Sequence, residues 1–260
     1  MRQGEIEKPA NYPSLTGRHV FITGGGSGIG ASLVEHFCRQ GARVSFIDIA
    51  VAASTALVSA IAARGLAPPS YSACDITNVS DLERAIAEAQ SKNGPIRVLR
   101  NNAGNDDRHQ TGNVTSAYWD DRMAVNLRHQ FFAAQAVRPQ MRDDGGGSII
   151  NLGSITWLVG DADCPAYVTA KAAVVGLTRA LARELGPEKI RVNCLLPGWV
   201  MTERQVKQWV TPAGEKQIDD RQCLRDRLFP PDIARMALFL AADDSRMCTS
   251  QNFIVDAGWV

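Results

Sequence analysis

Seven short apolar runs separated by longer stretches of helical period constrain this chain more than any other feature. The runs are HVFIT (19–23), RVSFID (43–48), PSYSACD (69–75), IRVLRN (96–101), GSIINLG (147–153), IRVNCLLP (190–197) and NFIVDAG (252–258). Amphipathic segments lie between them near 28–40, 50–64, 80–92, 115–142, 164–186 and 231–241. Runs that are apolar rather than alternating are what strands need when both faces of a sheet are covered. This order predicts an α/β chain with a doubly wound parallel sheet of about seven strands flanked by helices. No composition shift, linker or repeat divides residues 1–260, so a single domain is expected. The irregular stretch 198–230, carrying Pro212, Gly214, Pro230 and Pro231, reads as a substrate lid within it.

Composition narrows the class further. The chain is 45% hydrophobic and 21% charged, and its formal net charge of +1 offers no attraction to nucleic acid or an anionic membrane. No apolar run is long enough to span a bilayer, and the opening residues lack the apolar core of a signal peptide. Six scattered cysteines without CxxC spacing read as reduced, mostly core-filling residues rather than a disulfide framework or metal site. The expectation is a cytoplasmic protein acting on a small molecule, with no nucleic acid, membrane or metal partner.

The first run leads into TGGGSGIG (23–30), and a helical pattern leaves it. Strand, glycine turn and helix start together make a phosphate site in a Rossmann fold. Backbone N–H groups and the helix dipole face the anion, and glycines let a pyrophosphate come close. Gly24, Gly28 and Gly30, with Ser27 and Ile29 among them, are the candidate cradle. The second run ends in Asp48, eighteen residues after Gly30, where a carboxylate accepts hydrogen bonds from the adenosine ribose and repels a 2′-phosphate. NAD is therefore the expected cofactor; a surface aspartate at a strand end is the plainer alternative. Other strand ends fit the same ligand. Asp75 and Ile76 (CDITN) would meet the adenine. Asn102, Ala103 and Gly104 (NNAG) follow the fourth strand, and Pro197, Gly198, Val200 and Thr202 (LLPGWVMT) would approach the nicotinamide.

YVTAK places Tyr167 and Lys171 at i and i+4, on one face of a predicted helix. A free phenol is a poor base at neutral pH, but a neighbouring ammonium and an oxidised nicotinamide both favour the phenolate. Ser154 closes the fifth run thirteen residues before Tyr167, where its hydroxyl can hydrogen-bond a substrate oxygen. Asn126 interrupts the apolar face of a long helix. It holds either a water that links Lys171 to solvent or a kinked backbone.

Taken together, TGGGSGIG, NNAG, Asn126, Ser154, YVTAK and PG-x-V-x-T resemble the short-chain dehydrogenase/reductase family over nearly the whole chain. The resemblance implies hydride transfer between a nicotinamide and an alcohol or carbonyl, with Asn126, Ser154, Tyr167 and Lys171 as the catalytic tetrad. It also implies a homotetramer built on the helices near 115–142 and 164–186, with the last strand at a second interface. Arg100, before NNAG, departs from the family's apolar residue and is expected to alter strand packing locally. NNAGNDDRH, AYWDDRMAVNLRHQFF, TRALARELGP and VDAGWV are further similar to bacterial NAD-dependent sugar 1-dehydrogenases. That implies oxidation of the anomeric carbon of a free pentose or 6-deoxyhexose, such as D-xylose, L-arabinose or L-fucose, to the aldonolactone.

The residues themselves lean the same way. Asn105 and Asp106, opening a polar run that continues through Asp107, Arg108 and His109, offer oriented groups for a polyol; a solvated loop is the alternative. Trp157 and Trp199 offer flat faces suited to a pyranose, with lid packing the alternative for Trp199. The competing enzyme class is a secondary-alcohol or ketone dehydrogenase acting on a sugar-acid derivative or a 3-oxoacyl substrate. Asp48 argues against an NADPH-driven reductase, and the polar run against a long acyl chain. A non-catalytic dinucleotide sensor would not need Tyr167 and Lys171.

Overall fold

The computed structural model describes residues 9–260. Its seven strands are β1 (His19–Thr23), β2 (Arg43–Asp48), β3 (Ser70–Ala73), β4 (Val98–Asn101), β5 (Gly147–Leu152), β6 (Ile190–Pro197) and β7 (Asn252–Val255). They form one parallel sheet in the order β3-β2-β1-β4-β5-β6-β7. All five residues of β1 are buried: Val20 and Ile22 enter one core layer while Phe21 enters the other. That two-sided burial is why the run carries no polar alternation.

Helices α1 (Gly28–Arg39) and α10 (Pro230–Ala241) cover one face through Leu33, Val34, Phe37, Ile233 and Ala237. The other face packs against α3 (Val79–Asn93), α5 (His129–Asp143) and α7 (Pro165–Leu185) through Leu82, Ile86, Val137, Leu181 and Leu185. Helix α2 (Val51–Ala63) links β2 to β3. The strand order reverses between β1 and β4, so the loops leaving them diverge and open a crevice at their carboxyl ends.

Three departures from the sequence reading have local causes. The expected helix near 115–142 is α4 (Ser116–Met123), a five-residue π segment (Ala124–Arg128) and α5, a π insertion of the kind that re-aims a side chain. The stretch 198–230 is not irregular throughout: it holds α8 (Glu203–Gln208) and α9 (Pro212–Arg221). Each starts on a threonine, Thr202 or Thr211, whose hydroxyl accepts a backbone N–H three residues on. Their short, polar sequences gave too little periodicity to register. Arg100 leaves the ladder intact, with β4 in register against Ile22 and Ile150. Its fully buried guanidinium donates through Nη1 to the Ile150 and Asn101 carbonyls at 3.0 and 3.3 Å. Burial draws its pKa down to about 9.

Candidate active site

A cleft of about 1460 Å³ runs along the carboxyl ends of the strands, from Asp48 and Asp75 to α8 and α9. The glycine turn forms its floor at one end. Thr23 knits β1 to β4 by accepting from the backbone N–H of Asn102 and Ala103 at 3.0 and 3.1 Å, and the Asn102 amide donates to the Gly24 carbonyl at 2.8 Å. Asp48 braces the turn from the side: Oδ2 accepts from Gly26 N–H and Oδ1 from Ala50 N–H, both at 2.8 Å. Each oxygen accepts that one hydrogen bond, and Asp48 lines the cleft. Here Gly30 packs with no room for a β-carbon, and Ser27, Gly28 and Ile29 present the start of α1. The residues fit a dinucleotide pyrophosphate: a backbone cradle that any side chain would fill, at a helix N-terminus.

The cleft brings together nearly every residue the sequence nominated. Gly24, Asp48, Asp75, Ile76, Asn102, Ala103, Gly104, Pro197, Gly198, Val200 and Thr202 all line it, as do Asn105, Asp106, Ser154, Tyr167, Lys171 and Trp199. Trp157 does not. It belongs to the single turn α6 (Thr156–Val159), where its neighbours Thr156, Leu158 and Val159 take the cleft wall and the indole turns away. Thr202 also caps α8 through Gln205 N–H at 3.2 Å.

Helix α7 begins at Pro165, a residue suited to a first helical turn, and sets Tyr167 and Lys171 on its cleft face. Lys171 is 1% exposed; its Nζ donates to the Leu152 carbonyl at 2.8 Å and lies 5.4 Å from the Tyr167 ring centroid. Burial draws its pKa down to about 8, with the Arg100 charge acting in the same direction. The Tyr167 phenol is pushed up, first by burial and then by the Asp106 carboxylate, while the Ser154 hydroxyl pulls it back. The sequence implies that Lys171 and an oxidised nicotinamide together favour the phenolate; here burial is the largest influence on the phenol, and the ammonium donates to the Leu152 carbonyl.

Asn126 does not reach the cleft surface. Its Oδ1 accepts from Asn105 N–H at 2.8 Å, and its Nδ2 donates to the carbonyls of Asn105 and Arg122 at 3.0 and 3.1 Å. These bonds hold the bent backbone at Asn105 and Arg122, one of the two roles left open. Oδ1 and Lys171 Nζ still converge beside Gly104, 3.1 and 3.3 Å from where its β-carbon would stand.

The polar run 105–109 is wired rather than solvated. Arg204, on α8, donates to Asp107 at 2.5 Å and Asn105 at 3.0 Å, and Gln205 donates to Asp106 at 2.7 Å. Arg108 pairs with Asp161 at 2.9 Å and lies over the Trp209 ring, 5.5 Å from its centroid. His109 accepts from Ala166 N–H at 3.2 Å at the start of α7. Sequence reasoning missed Arg204, Gln205, Trp209 and Trp259, all on the cleft wall. Only the number of tryptophans near the lid hinted at them. Among the described residues no cluster of His, Cys, Asp and Glu could hold a metal ion.

A strand-ordered sheet, a dinucleotide cradle and a Ser–Tyr–Lys cluster at the strand ends define an oxidoreductase that uses a nicotinamide cofactor. The chain belongs to the short-chain dehydrogenase/reductase family. The family model described as Enoyl-(Acyl carrier protein) reductase matches residues 24–260. The chain is 53% identical over 250 residues to the D-xylose 1-dehydrogenase of Caulobacter vibrioides, spanning 96% of this chain and 98% of that one. It is 48% identical over 249 residues to the "Probable galactose dehydrogenase GalD" of Rhizobium meliloti, spanning 96% and 97%. The structure of a short-chain type dehydrogenase/reductase from Mycobacterium ulcerans superposes with a TM-score of 0.89 at 26% identity, over 96% of this chain and 91% of the other.

Proposed function

We propose that the protein is an NAD-dependent sugar 1-dehydrogenase that oxidises the anomeric carbon of a free pentose or 6-deoxyhexose to its aldonolactone. The observation that carries this reading is the placement of Ser154, Tyr167 and Lys171 in one cleft with the Asp106 carboxylate, between the dinucleotide cradle and an aromatic lid. Similarity to two proteins named as sugar dehydrogenases supports the substrate class.

The cradle and Asp48 would hold the cofactor, with the ribose hydroxyls on the carboxylate. A 2′-phosphate there would meet a negative charge, and the adjacent Ile49 and Ala50 supply no cation, which favours NAD over NADP. A bound oxidised nicotinamide would supply the acceptor for the hydride of the anomeric carbon, and its positive charge would favour the Tyr167 phenolate. Tyr167 takes the proton of the anomeric hydroxyl as the C–O bond becomes a carbonyl. Ser154 hydrogen-bonds the same oxygen and keeps it aimed at the phenol. Lys171, held by Leu152, supplies the fixed charge behind Tyr167, and Asn126 holds the backbone of Asn105 at the edge of the site.

The exposed Trp119 on α4 and Phe131 on α5 favour burial against further copies, in keeping with a homotetramer, and a cytoplasmic location completes the reading. No helix among the described residues is long and apolar enough to cross a membrane. The test is formation of reduced cofactor with a panel of aldoses and simple secondary alcohols, each with NAD and NADP. Turnover of a pentose or 6-deoxy sugar with NAD is expected; activity confined to non-sugar alcohols would overturn the substrate assignment.

A further inference from the structure

The chain leaves the sheet edge after β7 and makes a tight turn over 256–260. Asp256, 5% exposed, clamps that turn: Oδ1 accepts from Gly258 N–H at 2.8 Å and Oδ2 from Val260 N–H at 2.9 Å. The clamp is anchored on two sides. On the sheet side, Gly198 N–H donates to the Val255 carbonyl at 2.9 Å, and a β-carbon on Gly198 would stand 2.7 Å from that of Asp256. On the lid side, Leu224 N–H donates to the Ala257 carbonyl at 3.0 Å. Gly258, at φ +80°, presses so closely on Cys223 that a side chain would stand 2.8 Å from its β-carbon.

This anchoring has one consequence for the cleft. Trp259 seats on the small core cluster of Ile155, Val174, Cys194 and Leu196, and its ring lies 6.4 Å from that of Trp199, inclined at 53°. Trp199, whose ring tip packs against Gly214 of α9, lines the cleft that holds Ser154 and Tyr167, as do Trp259 and Val260. The two angled indole faces share this wall with polar residues such as Asp106, Arg108 and Asp161, an arrangement that suits a ring with a C–H face and hydroxyl edges.

We propose that the segment 256–260 is a substrate-specificity element: Trp259, set by the Asp256 clamp, forms with Trp199 the wall that receives the apolar face of the sugar ring. Trp259 acts by contact and Asp256 is a positioning residue. The proposal rests on the sugar 1-dehydrogenase reading and adds a determinant that lies outside the glycine turn, the catalytic cluster and the lid.

The experiment compares steady-state kinetics of the wild type, Trp259→Ala, Trp259→Phe, Asp256→Ala and Asp256→Asn on the aldose panel with NAD, alongside thermal unfolding. Trp259→Ala is expected to raise the aldose KM about tenfold while kcat and the NAD KM stay near wild type. Trp259→Phe should recover most of that loss. Asp256→Ala should move the aldose KM in the same direction, and Asp256→Asn, which keeps an acceptor for one of the two N–H groups, should recover part. If Trp259→Ala does not fold, Trp259→Phe and Trp259→Leu carry the comparison. A wild type active on aldoses whose folded Trp259 variants keep its aldose KM overturns this inference alone. A wild type that oxidises no aldose overturns the functional reading, and this inference with it.

Discussion

The carbonyl oxygen of Gly24 lies 1.8 Å from where a β-carbon on Gly30 would stand, so the first turn of α1 closes directly on the backbone of the glycine turn. No relaxation of a flexible side chain can relieve that contact, because the obstacle is main chain that Asn102 also holds. Gly30→Ala is expected to displace the cradle and raise the NAD KM about 10²-fold or more. Quenching of NADH fluorescence on binding, read beside a melting curve, separates a lost cradle from a lost fold.

Tyr167→Phe removes the proton acceptor and leaves the ring, its packing and the Lys171 contact with Leu152 in place. Turnover should fall roughly 10²–10⁴-fold with little change in NAD affinity. Turnover within a few-fold of wild type would remove Tyr167 from the role of base.

Asp106 pushes the Tyr167 phenol up, so its charge works against the base. Asp106→Asn keeps an acceptor for Gln205 while deleting that charge. The phenolate then forms at lower pH, and the rising alkaline limb of the kcat profile should move to lower pH. Arg204→Gln removes the cation 3.5 Å from Asp106 while keeping the carboxylate, and should move that limb the other way, to higher pH.

Asp48 holds the backbone at Gly26 and Ala50, and the proposed function gives it the ribose as well. Asp48→Ala leaves two N–H donors without their acceptor, a cost of about 1–3 kcal/mol, and also removes the barrier to a 2′-phosphate. The NAD KM should rise and the NADP KM fall. If NADP does not gain, Asp48 serves the loop and not the choice of cofactor.

His129 is fully buried beside Lys171, and burial followed by that positive charge lowers its pKa to about 3. Unfolded, it titrates near 6.5. Between these values the unfolded chain binds the extra proton, so stability is intact above about pH 6.5 and is lost as pH falls toward 3. His19 and His36 shift in the same direction, so the acid limb is shared. His129→Gln should make that limb shallower in urea unfolding followed against pH, and an unchanged slope would assign the acid sensitivity to other groups.

The seven strands, the glycine turn and the Tyr167–Lys171 pair were legible because each is a local pattern. Burial on both faces demands continuous apolar runs, a close approach demands glycine, and helix geometry alone puts i and i+4 on one face. Helices α8 and α9 escaped because their caps and polar turns carry almost no hydrophobic period. Trp157 was misplaced for a related reason: nearness to Ser154 in sequence does not say which side of a one-turn helix faces the cleft.

The amino-acid sequence by itself determined the sheet, the glycine turn and the Tyr167–Lys171 pair, since short-range spacing sets all three. Only the tertiary structure decided the other end of the cleft. There Arg204, Gln205, Trp209 and Trp259 arrive from segments distant along the chain, and Lys171 turns its charge to Leu152 while Asp106 turns its own on Tyr167. Those contacts depend on distances through space and on the loss of water around each group, and neither quantity is written in the order of residues.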